Sequence, residues 1–395
     1  MLSVAEAIAI VTADAAPLPG EMVLLGQAHG RVLAVDVAAR LTQPPFRSSA
    51  MDGYAVRRAD LDALPAALKL IGESAAGHAF TGQLGPGEAV RIFTGAPVPV
   101  GADYVVIQEN VEASGEDVRI RELNAETHIR ARGVDFKEGD ILLRAGKRLT
   151  ARDLMLAAQM NHPSLPVCRR PLVAVLPSGD ELVPPGGKPA PSQIISSIPT
   201  ALAAMLHTAG AEAVTLGIAR DTPESLAQYI AAAEGADILV TIGGASVGDH
   251  DLVRKALEDA GFTMGFHTVA MRPGKPFMSG TRGGQRVLAF PGNPVSAVTC
   301  AIIFLMPLVA ALLGEDRPPL SQTQVPLASP LPANGERQHY MRARIVDRDG
   351  MRAAEPLPSQ DSSLTAALAA ADCLIVRPPN APLAQAGEMV AVLPL

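Results

Sequence analysis

Residues 171–181 read PLVAVLPSGDE, and this stretch decides the fold of the chain. Its first seven residues form a continuous apolar run, which is typical of a strand buried on both faces. Similar runs recur at 213–219 and 237–244, and helical patterns such as PTALAAMLHTAG separate them. Strands that alternate with helices over short connections predict a doubly wound, mostly parallel α/β sheet. We expect this domain to span residues 171–317.

The second half of this domain holds two further signals. FHTVAMR (266–272) and RVLAF (286–290) bracket a Gly-Gly pair at 283–284, which predicts two strands around a turn. The segment 295–313 is apolar over almost the length of a membrane span. It closes an α/β unit directly, so we predict a buried core helix instead.

Three other regions differ in pattern from the α/β domain. Residues 1–50 and 146–170 have helical patterns, with Thr150 as a candidate N-cap. Residues 51–145 carry short β-type runs between Gly and Pro, including a hairpin around Ser114-Gly115. Residues 318–395 return to β, and Asp349-Gly350 is a strong hairpin signal.

Composition narrows the class of partner. The formal net charge is −7, Trp is absent and aromatic residues make up 3% of the chain, so nucleic acid is a poor candidate partner. The three cysteines, Cys168, Cys300 and Cys373, are far apart and indicate buried thiols rather than a disulfide framework. The N-terminus lacks the basic start of a signal peptide. We expect a cytoplasmic protein that does not enter a membrane.

The loops after the predicted strands carry the candidate chemistry, because ligands of open α/β sheets bind at the carboxyl ends of the strands. Carboxylates that suit a hard cation such as Mg²⁺ are Asp180, Glu181, Asp221, Asp249 and Asp251. Glycines that let backbone N–H groups approach a phosphate are Gly243, Gly244 and Gly248. Gly179 is a further candidate ligand-binding residue. Positive charge for an oxyanion comes from Arg272 and Lys275. Other candidate ligand-binding residues are Ser178, Ser246, Pro291, Gly292, Asn293, Pro294 and Ser296.

Each of these features also has a purely structural interpretation. Asp249 or Asp251 can cap the following helix, and Asn293-Pro294 suits an N-cap and the first helical position. A Gly-Gly pair alone indicates only a turn. The functional interpretation rests on all five strand ends carrying such residues. Neither GxxxxGK[ST] nor GxGxxG follows a strand, so ordinary P-loop and dinucleotide sites are disfavoured.

A second polar cluster lies in the β-rich region. PPFRSSAMDGYAVR (44–57), RIFTGAPVPVGADYVVIQEN (91–110) and HIRARGVDFKEGD (128–140) mix Arg, Asp and Thr between β-type runs. These loops are either solvated surface or functional loops carried by a β scaffold.

Seven motifs of the chain occur in one order that resembles a known family. They are SAMDGYAV, FTGAPVPxGAD, RGxDxxxGD, SGDEL, GGxSVGDxD, PGKP and FPGNPVS. Together they resemble the MoeA-type molybdopterin molybdenumtransferases, which are related to the E domain of gephyrin. The resemblance covers about residues 1–395.

The resemblance implies a fold and a reaction. It implies an elongated helical linker domain (1–50 and 146–170), a β insertion (51–145), an α/β pterin-binding domain (171–317) and a C-terminal β-barrel (318–395). It implies a Mg²⁺-dependent transferase that takes adenylylated molybdopterin and molybdate, releases AMP and inserts molybdenum into the dithiolene. It further implies a homodimer with the cleft between the α/β domain of one subunit and the insertion of the other. A molybdopterin adenylyltransferase upstream and molybdoenzyme chaperones downstream are the implied protein partners.

The resemblance also implies roles for residues that match its motifs. The acids that handle metal and phosphate are Glu181, Asp221 and Asp251. The cleft residues from the partner subunit's insertion correspond to Asp52, Thr94, Arg130 and Asp135. The molybdate-side residues are Arg272, Lys275 and Ser296, in a loop shaped by Pro291 and Pro294. An outer molybdate site is implied at Arg342 and Ser363.

The chain departs from the family pattern at a few positions. Arg272 stands where many relatives have Lys, which keeps the charge but changes its geometry. Ile198, Pro177 and Ala245 replace the usual Asn, Thr and Val. Two alternatives stay open: a molybdopterin adenylyltransferase, which needs only the α/β domain, and a non-catalytic scaffold. The sequence does not distinguish molybdate from tungstate, because the two oxyanions share shape and charge.

Overall fold

The computed structural model describes residues 1–244, 252–316, 320–348 and 350–395. Within them lie three six-stranded sheets and several two-stranded ribbons. Helices cover both faces of one of these sheets, and the other two sheets are mainly antiparallel. The chain is therefore a mixed α/β and β protein, as its sequence patterns predict.

A six-stranded sheet forms the centre of the α/β region. Its strands are β1 (Leu172–Pro177), β2 (Glu212–Thr215), β3 (Ile238–Ile242), β4 (Thr263–Thr268), β5 (Pro276–Arg282) and β6 (Gln285–Phe290). They lie in the order β2-β1-β3-β6-β5-β4. The pairs β2–β1, β1–β3 and β3–β6 are parallel, and β5 runs antiparallel to both neighbours. The sheet is mostly parallel, as the alternation predicts.

Strand β5 corrects the sequence prediction for this region. The turn at Gly283-Gly284 joins β5 to β6, not the segment 266–272 to β6. The sequence signal failed because Ser279, Gly280 and Thr281 interrupt the apolar pattern of β5. Met271–Arg272 instead forms a short strand that pairs with Gln338–His339 in another sheet.

Helices pack on both faces of the central sheet. They are Ile198–Ala209, Pro223–Ala232, Leu252–Asp259 and the long helix over 294–312. One face packs Val173, Val175 and Val240 against Leu202 and Phe304. The other face packs against Pro223–Ala232 and Leu252–Asp259. Apolar side chains on both faces explain why the strands read as continuous apolar runs.

The long apolar helix lies in the protein core. It consists of Pro294–Cys300, a π-helical turn at Ala301–Leu305 and Met306–Leu312. It is long and apolar enough to span a membrane, but 78% of its most apolar window is buried within the protein. Phe304 on this helix stacks on Phe277 of β5, with ring centroids 4.2 Å apart. The predicted core helix is confirmed.

The N-terminal region combines a helix with small ribbons. Helix Val4–Thr12 begins in a capping box between Ser3 and Glu6 and buries its apolar face against the α/β core. Helix Ala151–Gln159 begins at the predicted cap, where Thr150 and Asp153 form a second capping box. The paired strands are Gly20–Leu24 with Ser164–Cys168 and Val37–Ala38 with Ile141–Leu143. Leu25–Gln27 forms a 3₁₀ turn.

The β-rich insertion is a six-stranded sheet. Its strands, in spatial order, are Tyr104–Ile107, Gly53–Val56, Glu88–Ile92, Ala66–Ser74, Asp117–Ile120 and Val111–Ser114. The last two form the predicted hairpin around Ser114-Gly115. Ser48–Ser49 pairs with Ile129–Arg130 beside this sheet. Short 3₁₀ turns lie at Arg58–Leu61 and Gln108–Asn110.

The C-terminal region forms a small barrel. Its strands are Thr323–Pro326, Gln338–Arg348, Met351–Pro356, Cys373–Arg377 and Met389–Pro394. A bridge between Leu327 and Ala354 joins the two ends of this pairing and closes the ring. Gln338–Arg348 and Met351–Pro356 pair as predicted around Gly350, while Asp349 lies outside the described residues. Helix Thr365–Ala369 follows the loop at 357–363.

Candidate active site

Loops after β1, β3 and β6 are tied together at the carboxyl edge of the central sheet. The Ser178 N–H donates to the Ile242 carbonyl at 2.9 Å, and the Gly243 N–H donates to the Phe290 carbonyl at 3.0 Å. The Gly179 N–H donates to the Ala219 carbonyl at 3.1 Å, which adds the loop after β2. The sheet therefore gathers four of the predicted loops at one edge.

Gly243 allows two of these loops to touch. Its φ is +98°, and a Cβ there would lie 2.6 Å from the Ser178 carbonyl oxygen. The Ser178 hydroxyl is buried and has no hydrogen-bond partner among the described residues. Because a buried hydroxyl without a partner is costly, Ser178 is a candidate to bind a ligand that enters between these loops.

The described acids among those predicted for a metal lie at the same edge. Glu181 and Asp221 are exposed, and the Glu181 carboxylate folds back so that a Cβ on Gly179 would lie 2.4 Å from its Oε2. Asp180 is also exposed, 3.9 Å from the Arg220 guanidinium. No group of three metal-ligating side chains occurs among the described residues.

Several predicted residues fall outside the described part of the chain. They are Ser246, Gly248, Asp249 and Asp251. Gly244, directly before them, has φ +66°, and a Cβ there would lie 2.3 Å from a Val253 methyl group. The two described acids, Glu181 and Asp221, supply the oxygen donors that suit Mg²⁺, so the donor chemistry fits such an ion.

Positive charge is held on a rigid loop after β4. Arg272 and Lys275 are exposed, whereas Gly274 between them is buried. A Cβ on Gly274 would lie 2.8 Å from the Cys300 sulfur, so the loop backbone packs directly on the core helix. His339, next to Arg272 in the sheet, is buried, and burial together with the positive charges of Arg272, Arg337 and Arg342 lowers its pKa to about 4. This surrounding positive charge favours an oxyanion.

The loop over residues 291–294 after β6, which we call the PGNP loop, makes a contact that the sequence did not predict. Asn293 stands at the N-cap position, but its amide donates to the Ser362 hydroxyl at 3.1 Å rather than capping the helix. The Val295 N–H donates to the Ser362 carbonyl at 3.1 Å. Gly292 is exposed, Pro294 is half-buried, and Pro291 and Ser296 are buried.

Arg342 and Ser363 bond mainly within the barrel, although the buried Arg342 Nε has no hydrogen-bond partner among the described residues. Arg342 is 1% exposed, and its Nη1 donates to the Asp361 carbonyl at 2.7 Å. Ser363 donates its N–H and hydroxyl to Asp361 Oδ1. These bonds keep the pKa of Asp361 below its usual range. Ser362, next to Ser363 in the chain, is the serine that contacts the PGNP loop. Two adjacent serines in a sequence do not indicate which of them makes such a contact.

The predicted residues of the insertion form their own cluster. Asp52 Oδ1 accepts hydrogen bonds from the Thr94 N–H at 2.7 Å and the Thr94 hydroxyl at 2.8 Å. These bonds, with a smaller contribution from the charge of Arg91, lower the pKa of Asp52. Asp52 therefore remains a carboxylate at neutral pH.

Gly53 and Arg91 hold the turn that presents Asp52. A Cβ on Gly53 would lie 1.9 Å from the Val106 carbonyl oxygen, so only glycine allows this strand pairing. The Arg91 guanidinium lies 5.0 Å from the Tyr54 ring centroid and donates to the Gly53 carbonyl at 3.1 Å. Arg91 was not predicted as a site residue, although it begins the segment RIFTGAPVPVGADYVVIQEN (91–110).

The remaining predicted residues are exposed on the same region. Arg130 lies on the strand paired with Ser48–Ser49, shortly before Asp52 in the chain. Asp135 is exposed, and its carboxylate accepts a hydrogen bond from the Gln159 amide at 3.4 Å. Among the described residues, no hydrogen bond joins Arg130 or Asp135 to the loops of the α/β region within one chain.

Comparison with known proteins identifies the family. Residues 2–161 match the MoeA N-terminal region (domain I and II), residues 174–311 a probable molybdopterin binding domain, and residues 324–395 the MoeA C-terminal region (domain IV). The molybdopterin molybdenumtransferase of Nostoc sp. is 34% identical over 387 residues, covering 95% of this chain and 88% of that protein. The molybdopterin molybdenumtransferase of Haemophilus influenzae is 32% identical over 383 residues, covering 96% and 94%.

A solved structure agrees with this relationship. The molybdopterin biosynthesis MoeA protein from Pyrococcus horikosii superposes with a TM-score of 0.87 at 30% identity, over 100% of this chain and 99% of that one. The chain belongs to the MoeA family of molybdopterin molybdenumtransferases. Its enzyme class is that of a transferase.

Proposed function

We propose that this protein inserts molybdenum from molybdate into adenylylated molybdopterin and releases AMP, in a reaction that requires Mg²⁺. The observation that carries the proposal is the edge of the central sheet, where exposed acids, exposed cations and the buried Ser178 hydroxyl lie in the loops that follow the strands. An anionic substrate with a phosphate needs this combination. The family membership of the whole chain supports the same reaction.

Glu181, Asp221 and Asp251 are the proposed metal ligands. When bound, Mg²⁺ supplies charge neutralisation for the phosphate that is split. The protein's own groups then orient the substrate: the Ser178 hydroxyl and the Gly244 N–H are proposed to face the phosphate. Gly179 and Gly243 would contribute a close backbone approach, because their own N–H groups donate to the carbonyls of Ala219 and Phe290. Ser246, Gly248, Asp249 and Asp180 complete this proposed substrate-binding set.

Arg272 and Lys275 are the proposed cations for the molybdate oxyanion, next to the loop Pro291–Ser296. Arginine donates through a planar fork, so the change from Lys at 272 preserves charge while altering how oxygens are paired. Arg342 and Ser363 are proposed for an outer molybdate site. Ser362, rather than Ser363, forms the hydrogen bond to the PGNP loop. Tungstate shares this chemistry.

We infer that the active protein is a homodimer whose cleft combines two subunits. Asp52, Thr94, Arg130 and Asp135 of one subunit would face the α/β loops of the other. Exposed apolar residues support a partner surface: Met22 and Leu24, on an edge strand, are 61% and 64% exposed. Their burial against a second copy would remove that apolar surface from water.

The proposal places this reaction in the cytoplasm, with a molybdopterin adenylyltransferase supplying the substrate and molybdoenzyme chaperones receiving the product. We also propose four domains: the linker (1–50 and 146–170), the insertion (51–145), the α/β domain (171–317) and the barrel (318–395). An adenylyltransferase activity of this chain itself is the second candidate function. The presence of the insertion and the barrel argues against an adenylyltransferase, since that activity needs only the α/β domain.

The test is to incubate the purified protein with adenylylated molybdopterin, Mg²⁺ and molybdate. AMP release with formation of active molybdenum cofactor is expected, and absence of both refutes the proposal. Asp251→Ala is expected to remove turnover while leaving the circular dichroism spectrum unchanged. Wild-type turnover in that variant contradicts the metal role. Consumption of ATP with free molybdopterin would favour the adenylyltransferase.

A further inference from the structure

The barrel contacts both loops that carry the residues proposed to bind the oxyanion. Met271–Arg272 pairs as an edge strand with Gln338–His339, so the loop with Arg272 and Lys275 is anchored in the barrel sheet. Ser362 of the barrel holds the PGNP loop through Asn293 and the Val295 N–H. The relative position of the two loops therefore depends on how the segment 357–363 is held.

One side chain, Gln360, fixes that segment to the barrel. Its Oε1 accepts from the Arg342 N–H at 2.9 Å, and its Nε2 donates to the Arg342 carbonyl at 2.9 Å. The same Nε2 donates to the Leu357 carbonyl at 3.0 Å. Strand Met351–Pro356 has just ended there, so the carboxamide continues its ladder on Gln338–Arg348.

The Arg342 guanidinium closes the segment from the other side. It donates to the carbonyls of Asp361 and Ser359, at 2.7 Å and 3.2 Å, and is itself 1% exposed. Gln360, which bonds both main-chain groups of Arg342, lies one residue before Asp361 and two before Ser362 in the segment that presents the Ser362 hydroxyl and carbonyl.

We infer that Gln360 is a positioning residue for the oxyanion end of the site, acting through Ser362 on Asn293 and Val295. The inference rests on the proposed function, since the PGNP loop matters for turnover only if an oxyanion is handled there. The structural part of the inference does not depend on that reaction. Loss of the Gln360 amide should make Ser362 more mobile, and the Val295 N–H should then lose its hydrogen bond to the Ser362 carbonyl.

The test uses Gln360→Glu in the full chain, which keeps the shape and the acceptor but removes the donor to the carbonyls of Arg342 and Leu357. Gln360→Ala is the second variant, and Gln385→Ala, an exposed glutamine of the same barrel, is the matched control. Hydrogen exchange of peptides covering 291–297 is expected to accelerate in both Gln360 variants and to stay unchanged in the control. Unchanged exchange in folded Gln360→Glu overturns the inference, whatever the activity.

Steady-state kinetics separate positioning from general damage. We expect the KM for molybdate to rise about tenfold in Gln360→Glu, as for the loss of one hydrogen bond, with kcat changed by less than about twofold. Combining Gln360→Glu with Ser362→Ala is expected to cost less than the sum of the two single variants, because both weaken the hydrogen bond between Asn293 and the Ser362 hydroxyl. Additive losses, or a fall in kcat alone, overturn the inference. A wild-type protein without molybdate-dependent AMP release refutes the proposed function but leaves the exchange result to decide on Gln360.

Discussion

Gly274→Ala should loosen the loop that carries Arg272 and Lys275, by an amount that the structure allows us to work out. Gly274 has φ +106°, which costs an L-residue about 1–3 kcal/mol. The new Cβ would also lie 2.8 Å from the Cys300 sulfur and 3.1 Å from the Met271 methyl carbon, a degree of overpacking that costs about 1–3 kcal/mol. Together we expect about 2–6 kcal/mol, concentrated at this loop.

Native-state hydrogen exchange is the suitable assay, because a chain with several domains need not unfold in one transition. Peptides covering 268–278 should exchange faster in Gly274→Ala. Gly283→Ala is the matched control: Gly283 has φ +57° but no atom within 4 Å of its added Cβ, so it lacks the packing cost. The molybdate KM should rise in Gly274→Ala and stay near wild type in the control.

A double variant isolates the packing contribution. Cys300→Ala removes the sulfur that meets the new Cβ, so combining it with Gly274→Ala should recover about 1–3 kcal/mol as a coupling energy. The cost of the positive φ should persist. Unchanged exchange at 268–278 in Gly274→Ala, or purely additive effects with Cys300→Ala, would refute this account of the loop.

Three further predictions concern the insertion and the contact between regions. Thr94→Val removes the hydroxyl that bonds Asp52 and so raises the pKa of that carboxyl from its lowered value; activity should therefore begin to fall at a higher pH on acidification, which a pH–rate profile checks. Gly53→Ala places a Cβ 1.9 Å from a neighbouring carbonyl oxygen, and limited proteolysis should show faster cleavage within 51–145. Glu315→Gln weakens the paired hydrogen bonds to Arg148, at 2.6 Å and 2.8 Å, and should cost about 1–3 kcal/mol in thermal unfolding, less in high salt. An unshifted acid limb, unchanged proteolysis or an unchanged melting temperature would contradict these predictions in turn.

The sequence predicts the central sheet well because its strands are buried on both faces. Continuous apolar runs such as Leu172–Pro177 need no tertiary information to be recognised. Strand β5 escaped prediction because a strand beside the edge tolerates Ser279 and Gly280, where its neighbours supply the packing. The apolar pattern of one segment does not show which neighbouring strands will pack beside it.

Candidate residues are predicted more easily than their contacts. Ser178, Gly243 and the acid loops lie at one edge of the sheet, because parallel strands end together. Ser362 was missed because its contact with Asn293 joins two sheets and residues 69 positions apart in the chain. Gln360 was missed because its bonds to Arg342 and Leu357 depend on how the barrel folds. Asn293 is predicted as a ligand-binding residue with an N-cap as the structural alternative, and only the fold shows that its amide donates to Ser362.

The central claim is most directly tested by measuring molybdenum transferred and AMP released in the same reaction. Purified protein, adenylylated molybdopterin, Mg²⁺ and molybdate are combined, AMP is quantified by chromatography, and molybdenum in the isolated pterin product is quantified by mass spectrometry. The account predicts one molybdenum inserted for each AMP released, and neither product when Mg²⁺ is removed. AMP release without molybdenum in the product, or no release at all, would contradict it.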